Sequence, residues 1–423
     1  MITLRQFKDL LAEVDAAGTC SHPIRLRGTT RDALTGEVRS RTVKVPCKDR
    51  RAVLCPSCSA LYQGDAFVLV AVGLNGGKGV PEQVAARPRC FVTLTAPSFG
   101  AVHSGGMGAA CRPRRRRERC VHGVATWCSA VHNEHDEVLG APLCEECLDV
   151  RGAVLWNAMA SSLWDRTIVR LRRTLAGYAG LPATSLGRVA RVEFVKVAEI
   201  QRRGLVHVHA IVRADGPDGA LSEPPDWLST EQLEASIVAS ARSTQVVDPV
   251  GTTHRWGDQL DVSAIAAIDA DDRRVASYLA KYATKSTDGT VSLARRFEAR
   301  HEIEHVRVPE HLRRLALMAW DLEDEPEFEE LGLRRHAHAL GFRGQLVTKS
   351  RGYSTTFASL RGARARYRAR ASGSNPVEGT FGFVGRGYDH PLAAPWAEDA
   401  AKAKAEWRKE AARRRRKSRE GDE

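Results

Sequence analysis

Three sets of residues in this chain have types and spacings that suit chemistry. The first is His207 and His209, in the run Gly204-Leu-Val-His-Val-His-Ala-Ile-Val212. A strand alternates its faces, so both imidazoles fall on one side and Val206, Val208, Ala210 and Val212 on the other. Two adjacent imidazoles can grip one divalent cation, although such a pair alone is more often metal-free. The second set is Tyr278, Lys281, Tyr282 and Lys285. The spacing predicts a helix over Asp271–Lys285, opened by acidic residues at its positive end. Residues four apart share a helix face, so both phenols project together with the two lysines beside them. A phenol with a free pKa of about 10 needs help to attack at neutral pH; an ammonium and a metal-polarised phosphate would supply it. The same spacing also suits packed tyrosines on an ordinary amphipathic helix.

The third set is the cysteines. All ten lie before residue 150, and in a basic chain without a secretory leader they point to zinc rather than disulfides. Cys55-Pro-Ser-Cys58 is a knuckle that aims two thiolates at one tetrahedral ion, with Cys47 and Cys20 (or His22) as the remaining ligands. Cys144-Glu-Glu-Cys147 repeats the knuckle, most simply closed by Cys120 and Cys128; Cys111, His122, His132 and His135 compete for those places. Two zinc ions per chain are therefore expected. Cys90, inside an apolar strand, reads as a core residue.

The elements that must position these groups follow from patterning. Arg202-Arg203-Gly204 reads as a tight turn, which makes Val192–Ile200 the antiparallel partner of the histidine strand. Arg89–Thr95 is β-branched and ends before Pro97, so it is a third strand. Leu155–Tyr178 has helical apolar spacing. Leu4–Val14 and Leu233–Ala241 read as short helices, Gln259–Ile265 as a strand, and Leu293–Ala319 as a further helix; Tyr62–Leu74 could be helix or strand. Trp320–Leu331 is acidic and reads as a solvated surface, and Ala397–Arg419 as a lone basic helix forming an exposed tail.

Length and charge set the class. At 423 residues the chain needs two or three domains. A net charge of +13 favours a polyanionic partner. Its longest apolar runs, such as Ala66–Leu74, are too short to span a membrane, and Met1–Gly18 lacks a signal-peptide core, so a cytoplasmic protein is expected. Arg114, Arg115, Arg116 and Arg117, between Cys111 and Cys120, resist packing and suit a loop along phosphates. Arg343–Arg370 is basic with Tyr353, Phe357 and Tyr367 interleaved; these rings either stack on single-stranded bases or pack in a core. Asn75-Gly-Gly-Lys-Gly79 lacks the spacing of a phosphate loop.

Taken in order, the strand Phe91–Thr95, the His207-Val-His209 strand and the helix with Tyr278-x-x-Lys281-Tyr282-x-x-Lys285 resemble the three motifs of the HUH endonuclease superfamily. More closely, the chain is similar to RepSA-like replication initiators of actinobacterial plasmids and integrative elements. The cysteine-bearing N-terminal part, Gly341-Phe-Arg343-Gly344 and Thr348-Lys349-Ser350-Arg351 extend that similarity from about residue 20 to 370. The resemblance implies an α+β fold: an HUH core with a central antiparallel sheet and flanking helices, joined to zinc-binding cysteine modules. The expected segments are a zinc-binding region at 1–85, an HUH domain at 86–300 with an inserted zinc and arginine-rich module at about 100–150, a basic region at 301–390 and a basic helical tail at 391–423.

The resemblance also implies an activity. His207 and His209 would hold Mg²⁺ or Mn²⁺ at the scissile phosphate of single-stranded origin DNA. A tyrosine, helped by Lys281 and Lys285, would attack phosphorus and leave a 5′-phosphotyrosine and a 3′-hydroxyl that primes rolling-circle replication. Two hard-cation ligands are too few, so a carboxylate is expected. Glu199 serves if it pairs with Leu205, but a slip by one residue turns it away, with Gln201 as the fallback. Arg343, Lys349 and Arg351 would contact DNA. No Walker motif is present, so a host helicase and polymerase are expected partners. Two other readings share most of these features: a zinc-dependent DNA-binding regulator without catalysis, and a mobilisation relaxase, whose tyrosine usually precedes its histidines.

Overall fold

The computed structural model describes residues 4–32, 35–105, 108–113, 118–265, 274–281, 295–371 and 377–420. The chain divides into two compact units, 1–66 with 356–423, and 67–355. This division differs from the four consecutive segments expected, because the two ends of the chain build one unit together. There, β1 (Ile24–Asp32) lies between β2 (Val38–Val45) and β10 (Val377–Arg386), antiparallel to both. Helix α1 (Leu4–Ala16) packs Leu10 and Val14 against Ala393 and Ala397 of α9 (Ala393–Glu420). The first turns of α9 therefore form a small core with α1, in contrast to the lone tail expected; small alanines let the two helices approach closely.

Helix α2 (Pro56–Asn75) begins in the first unit and ends in the second, and it resolves Tyr62–Leu74 as helical. By length and composition alone it could cross a membrane, which the expectation from shorter apolar runs overlooked. Half of its most apolar stretch is buried within the protein, and buried Asp65 on it pairs with Arg364, as in a core helix. Its last carbonyls are also satisfied by the protein: Arg89 donates to Leu74 O at 2.8 Å, and Arg213 donates to Gly73 O. Guanidinium groups at a helix C-terminus meet both the unpaired carbonyls and the negative end of the dipole.

The second unit is built on a five-stranded antiparallel sheet in the order β8 (Leu260–Ala264), β3 (Arg89–Thr95), β5 (Val206–Asp215), β4 (Arg191–Ile200), β9 (Val347–Lys349). Even-numbered residues of β3 and β5, among them Val92, Leu94, Val208 and Val212, join one core with Trp156, Leu163, Trp164 and Leu171 of α3 (Val150–Tyr178). Each such aliphatic side chain contributes roughly 1.5–3 kcal/mol through burial. Asp149 caps α3 by accepting from Gly152 N, and Ser229 caps α4 (Thr230–Ser243) by accepting from Gln232 N. The helix expected over Leu293–Ala319 is broken into α6 (Arg300–Glu304) and α7 (Glu310–Asp321). Pro309 separates them, since its nitrogen has no hydrogen to continue a helix. The acidic stretch after α7 is a surface on one side only: Leu322 and Phe328 are fully buried within it, held by short 3₁₀ turns that keep the carboxylates outward.

Candidate metal and nucleophile site on the central sheet

The odd-numbered face of β3, β4 and β5 carries the candidate chemistry. The β4–β5 hairpin closes through Gly204, whose φ of +82° favours glycine, with Gly204 N donating to Gln201 O at 2.8 Å. Asn157 on α3 pins this turn from the core side. Its Nδ2 donates to Gly204 O at 2.8 Å and Leu340 O at 2.9 Å, and its Oδ1 accepts from Val206 N at 3.0 Å. Nothing in the sequence singled out Asn157, because a polar residue inside an apolar helical stripe has no signature beyond its rarity. The other face of the turn is held by Arg202, which donates to Asp136 O at 3.1 Å and Glu134 O at 2.5 Å.

His207 and His209 stand side by side on β5, their ring centroids 4.5 Å apart. His207 Nδ1 is buried and has no hydrogen-bond partner among the described residues. Burial and the Arg203 guanidinium hold His207 down at about 4, so it is neutral at physiological pH and keeps a lone pair to offer. His209 is buried, with Nδ1 3.2 Å from Thr93 Oγ1 on the neighbouring strand. With Nδ1 protonated it donates to that hydroxyl, which fixes the ring and leaves Nε2 as the ligand atom. Thr93 is opposite His209 in the β3–β5 register; the sequence marked its strand but not its role.

The helix over residues 274–281, α5, brings Tyr278 to this face. The Tyr278 ring lies 5.2 Å from His209 and 5.7 Å from Phe91, edge-on to both, and remains 40% exposed. Ala276, Leu279 and Ala280 are buried and anchor the helix. Lys281 is exposed. Tyr282 and Lys285 lie outside the described residues, so only one of the two expected phenols can be placed.

Glu199 pairs with His207. That register is two residues from the Leu205 pairing expected, and a shift of two preserves the face, so Glu199 is beside the histidines. Gln201 is engaged in the turn, its Oε1 accepting from Arg203 Nε at 2.9 Å. A carboxylate not singled out in the sequence, Asp261 on β8, occupies the position opposite Thr93 and so shares this face. Two imidazoles, one of them with the buried unpartnered Nδ1 of His207, and the Glu199 carboxylate thus lie on one face of neighbouring strands.

The cysteines gather in three groups, each with its ligand atoms within 4.8 Å of one another. Cys20, Cys47, Cys55 and Cys58 form the first, with Cys55 and Cys20 sulfurs 3.7 Å apart; His22 is exposed outside it. The Cys55 thiol is pushed far below its ordinary value by the surrounding thiols of Cys20, Cys47 and Cys58. Cys120, His122, Cys144 and Cys147 form the second. Here the expected set needs correction: His122 takes the place given to Cys128. Cys128 stands instead with His103, Cys111 and His132 in a third group. The pattern hid this because its ligands have no Cys-x-x-Cys knuckle between them. Such groups can hold metal ions such as zinc. Cys90 is a buried core residue.

Of the basic residues, Arg343 and Arg351 are exposed, while half-buried Lys349 donates to the carbonyls of Ser350 and Arg351 at 3.1 and 3.3 Å. Arg114 to Arg117 lie outside the described residues. The interleaved rings divide. Tyr353 is fully buried beneath the Arg213 guanidinium, Phe357 stacks on Tyr62 at 5.0 Å, and Tyr367 is exposed.

The chain matches a family described as RepSA, replication initiator protein of pSAM2, over residues 6–402. It is 39% identical over 381 residues to a replication initiator protein from Streptomyces ambofaciens, covering 84% of this chain and 79% of that relative. No solved structure matches it. With a match over nearly the whole length and that level of identity, the chain belongs to the RepSA family of replication initiators.

Proposed function

We propose that this initiator opens its own origin by nicking one DNA strand, as an HUH-type endonuclease. The observation that carries this reading is the Tyr278 ring 5.2 Å from His209, on the strand face shared with His207. His207, His209 and Glu199 would hold Mg²⁺ or Mn²⁺, which when bound draws charge from the scissile phosphate. Tyr278 or Tyr282 gives up its phenolic proton, with the Lys281 ammonium stabilising the phenolate, and its oxygen forms a bond to phosphorus. The bond to the 3′ oxygen breaks, leaving a 5′-phosphotyrosine and, once that oxygen takes a proton, a free 3′-hydroxyl for a polymerase. Two tyrosines would allow a second cut while the first still holds DNA, which suits the end of a rolling-circle round. Single-stranded DNA at the nick, a host helicase and a host polymerase are the partners this requires. The net charge of +13, with exposed Arg343 and Arg351, supplies phosphate affinity, and zinc in the cysteine groups would hold the scaffold.

Incubation with supercoiled plasmid carrying the cognate origin and Mn²⁺ tests this. Open circles with protein attached to the 5′ end are expected. Tyr278→Phe combined with Tyr282→Phe should abolish nicking while origin binding survives. Tight origin binding by the wild type without any covalent product would leave a DNA-binding initiator and end the nuclease reading.

A further inference from the structure

Taken along the chain, the ligands of the second and third cysteine groups come in four pairs. His103 and Cys111 converge with Cys128 and His132, whereas Cys120 and His122 converge with Cys144 and Cys147. The first pair joins the third and the second joins the fourth, so neither group can assemble without enclosing part of the other. We propose that these are two interlocked zinc centres which fill and empty together, and that the His103 group is a true metal site rather than a polar cluster.

The geometry of the His103 group supports a metal. A tetrahedral zinc with its usual bond lengths sets sulfur and nitrogen about 3.6 Å apart and two nitrogens about 3.4 Å apart. Here Cys128 Sγ is 3.6 Å from His132 Nε2, Cys111 Sγ is 3.8 Å from His103 Nδ1, and the two nitrogens are 3.2 Å apart. His132 Nδ1 lies 2.7 Å from Asp136 Oδ2; in the neutral tautomer that donates there, Nε2 presents a lone pair to the group. Three further acceptor-capable atoms converge on the same point. A carboxylate behind a ligating histidine is a recurrent support of zinc sites. Ser104 N also donates to Cys111 Sγ at 3.1 Å, which stabilises a thiolate rather than a thiol.

Interlocking gives the module its purpose. Beyond Gly100 its described residues form isolated bridges and turns in place of regular strands and helices until α3 begins, so metal ligation would add to the scattered backbone hydrogen bonds that hold it. It is seated on the hairpin turn through Arg202, and the arginine run joins Cys111 of one centre to Cys120 of the other.

Chelator titration of the full-length protein, with released metal counted by a colorimetric reporter, tests this. The wild type should release three zinc ions per chain, one from the Cys20 group and two others in a single shared step. Cys128→Ser with His132→Ala should retain one zinc, as should Cys144→Ser with Cys147→Ser. Cys55→Ser with Cys58→Ser should retain two. Near-ultraviolet circular dichroism from buried Trp156 and Trp164 reports whether each variant keeps its core. Asp136→Asn, which keeps all eight ligands, should weaken the shared step by about 10–100-fold. A wild type holding only two zinc ions, a module variant that retains two, or an Asp136→Asn titration identical to wild type would overturn the proposal.

Discussion

Replacing Asn157 by leucine isolates the contribution of one side chain to the hairpin that carries His207. Leucine has nearly the same shape, but it cannot donate to the carbonyls of Gly204 and Leu340 or accept from Val206 N. Asn157 is fully buried, so water cannot stand in for the amide. Each backbone group that loses its buried partner costs about 1–3 kcal/mol. Against this, the added apolar surface returns roughly 1.5–3 kcal/mol. With three such groups the midpoints of these ranges leave a net destabilisation of about 4 kcal/mol, a large fraction of the 5–15 kcal/mol typical of a domain. Equilibrium urea unfolding followed by tryptophan fluorescence reads it directly, as a lower midpoint at unchanged slope. Asn157→Asp keeps the acceptor for Val206 N but turns two donors into lone pairs facing carbonyls, and should be no more stable than the leucine variant. A shift below about 1 kcal/mol for Asn157→Leu would show that the turn is held by its own backbone and that the positioning argument is wrong.

Other perturbations follow from single contacts. Thr93→Val removes the partner of His209 Nδ1 and should weaken Mn²⁺ binding by about 10–100-fold with little change in fold; isothermal titration with unchanged affinity would contradict the proposed tautomer. Lys196 is buried against the Trp164 ring at 5.5 Å, and burial lowers its pKa from 10.5 to about 8. Its charged form is disfavoured in the folded state, so the penalty is complete below about pH 8 and fades as pH rises toward 10.5. Lys196→Met should therefore stabilise the protein near pH 7 by on the order of 3 kcal/mol, less the lost ring contact, and the advantage should vanish at high pH. Stability curves that stay parallel across that window would refute this. Gly73→Ala would set a methyl 2.1 Å from a carbon of the fully buried Tyr353 ring, a cost of about 1–3 kcal/mol visible in thermal unfolding; an unchanged midpoint would mean the ring can yield.

The strands of the central sheet were readable because alternation of Val and His, or of Cys, Val and Leu, marks one buried face and one chemical face over short distances. The same signal put His207 and His209 on a common side but left the face of Glu199 open, because it could not fix the register of the partner strand; the observed pairing with His207 places it beside them. Tertiary partners were not readable. Thr93, Asn157 and Arg202 act through neighbours 116, 49 and 66 residues away, and no local pattern encodes such distances. The long helix expected before Ala319 failed because apolar spacing continues across Pro309 while the backbone cannot. Knuckle counting found two cysteine groups but missed the one with two histidines, whose four ligands are spread over 30 residues without a repeated motif.

The pairing of β1 with β10 bears on how the protein is made. Tyr388, whose hydroxyl donates to Cys20 O at 2.7 Å, lies 368 residues downstream of it. During translation the four thiols of the Cys20 group emerge long before β10 and α9 and must wait, unsheltered by them, until more than 300 further residues are made. A message cut short, or a chain clipped, before β10 leaves that sheet without one of its outer strands, so the first unit is finished only after the whole of the second has been synthesised.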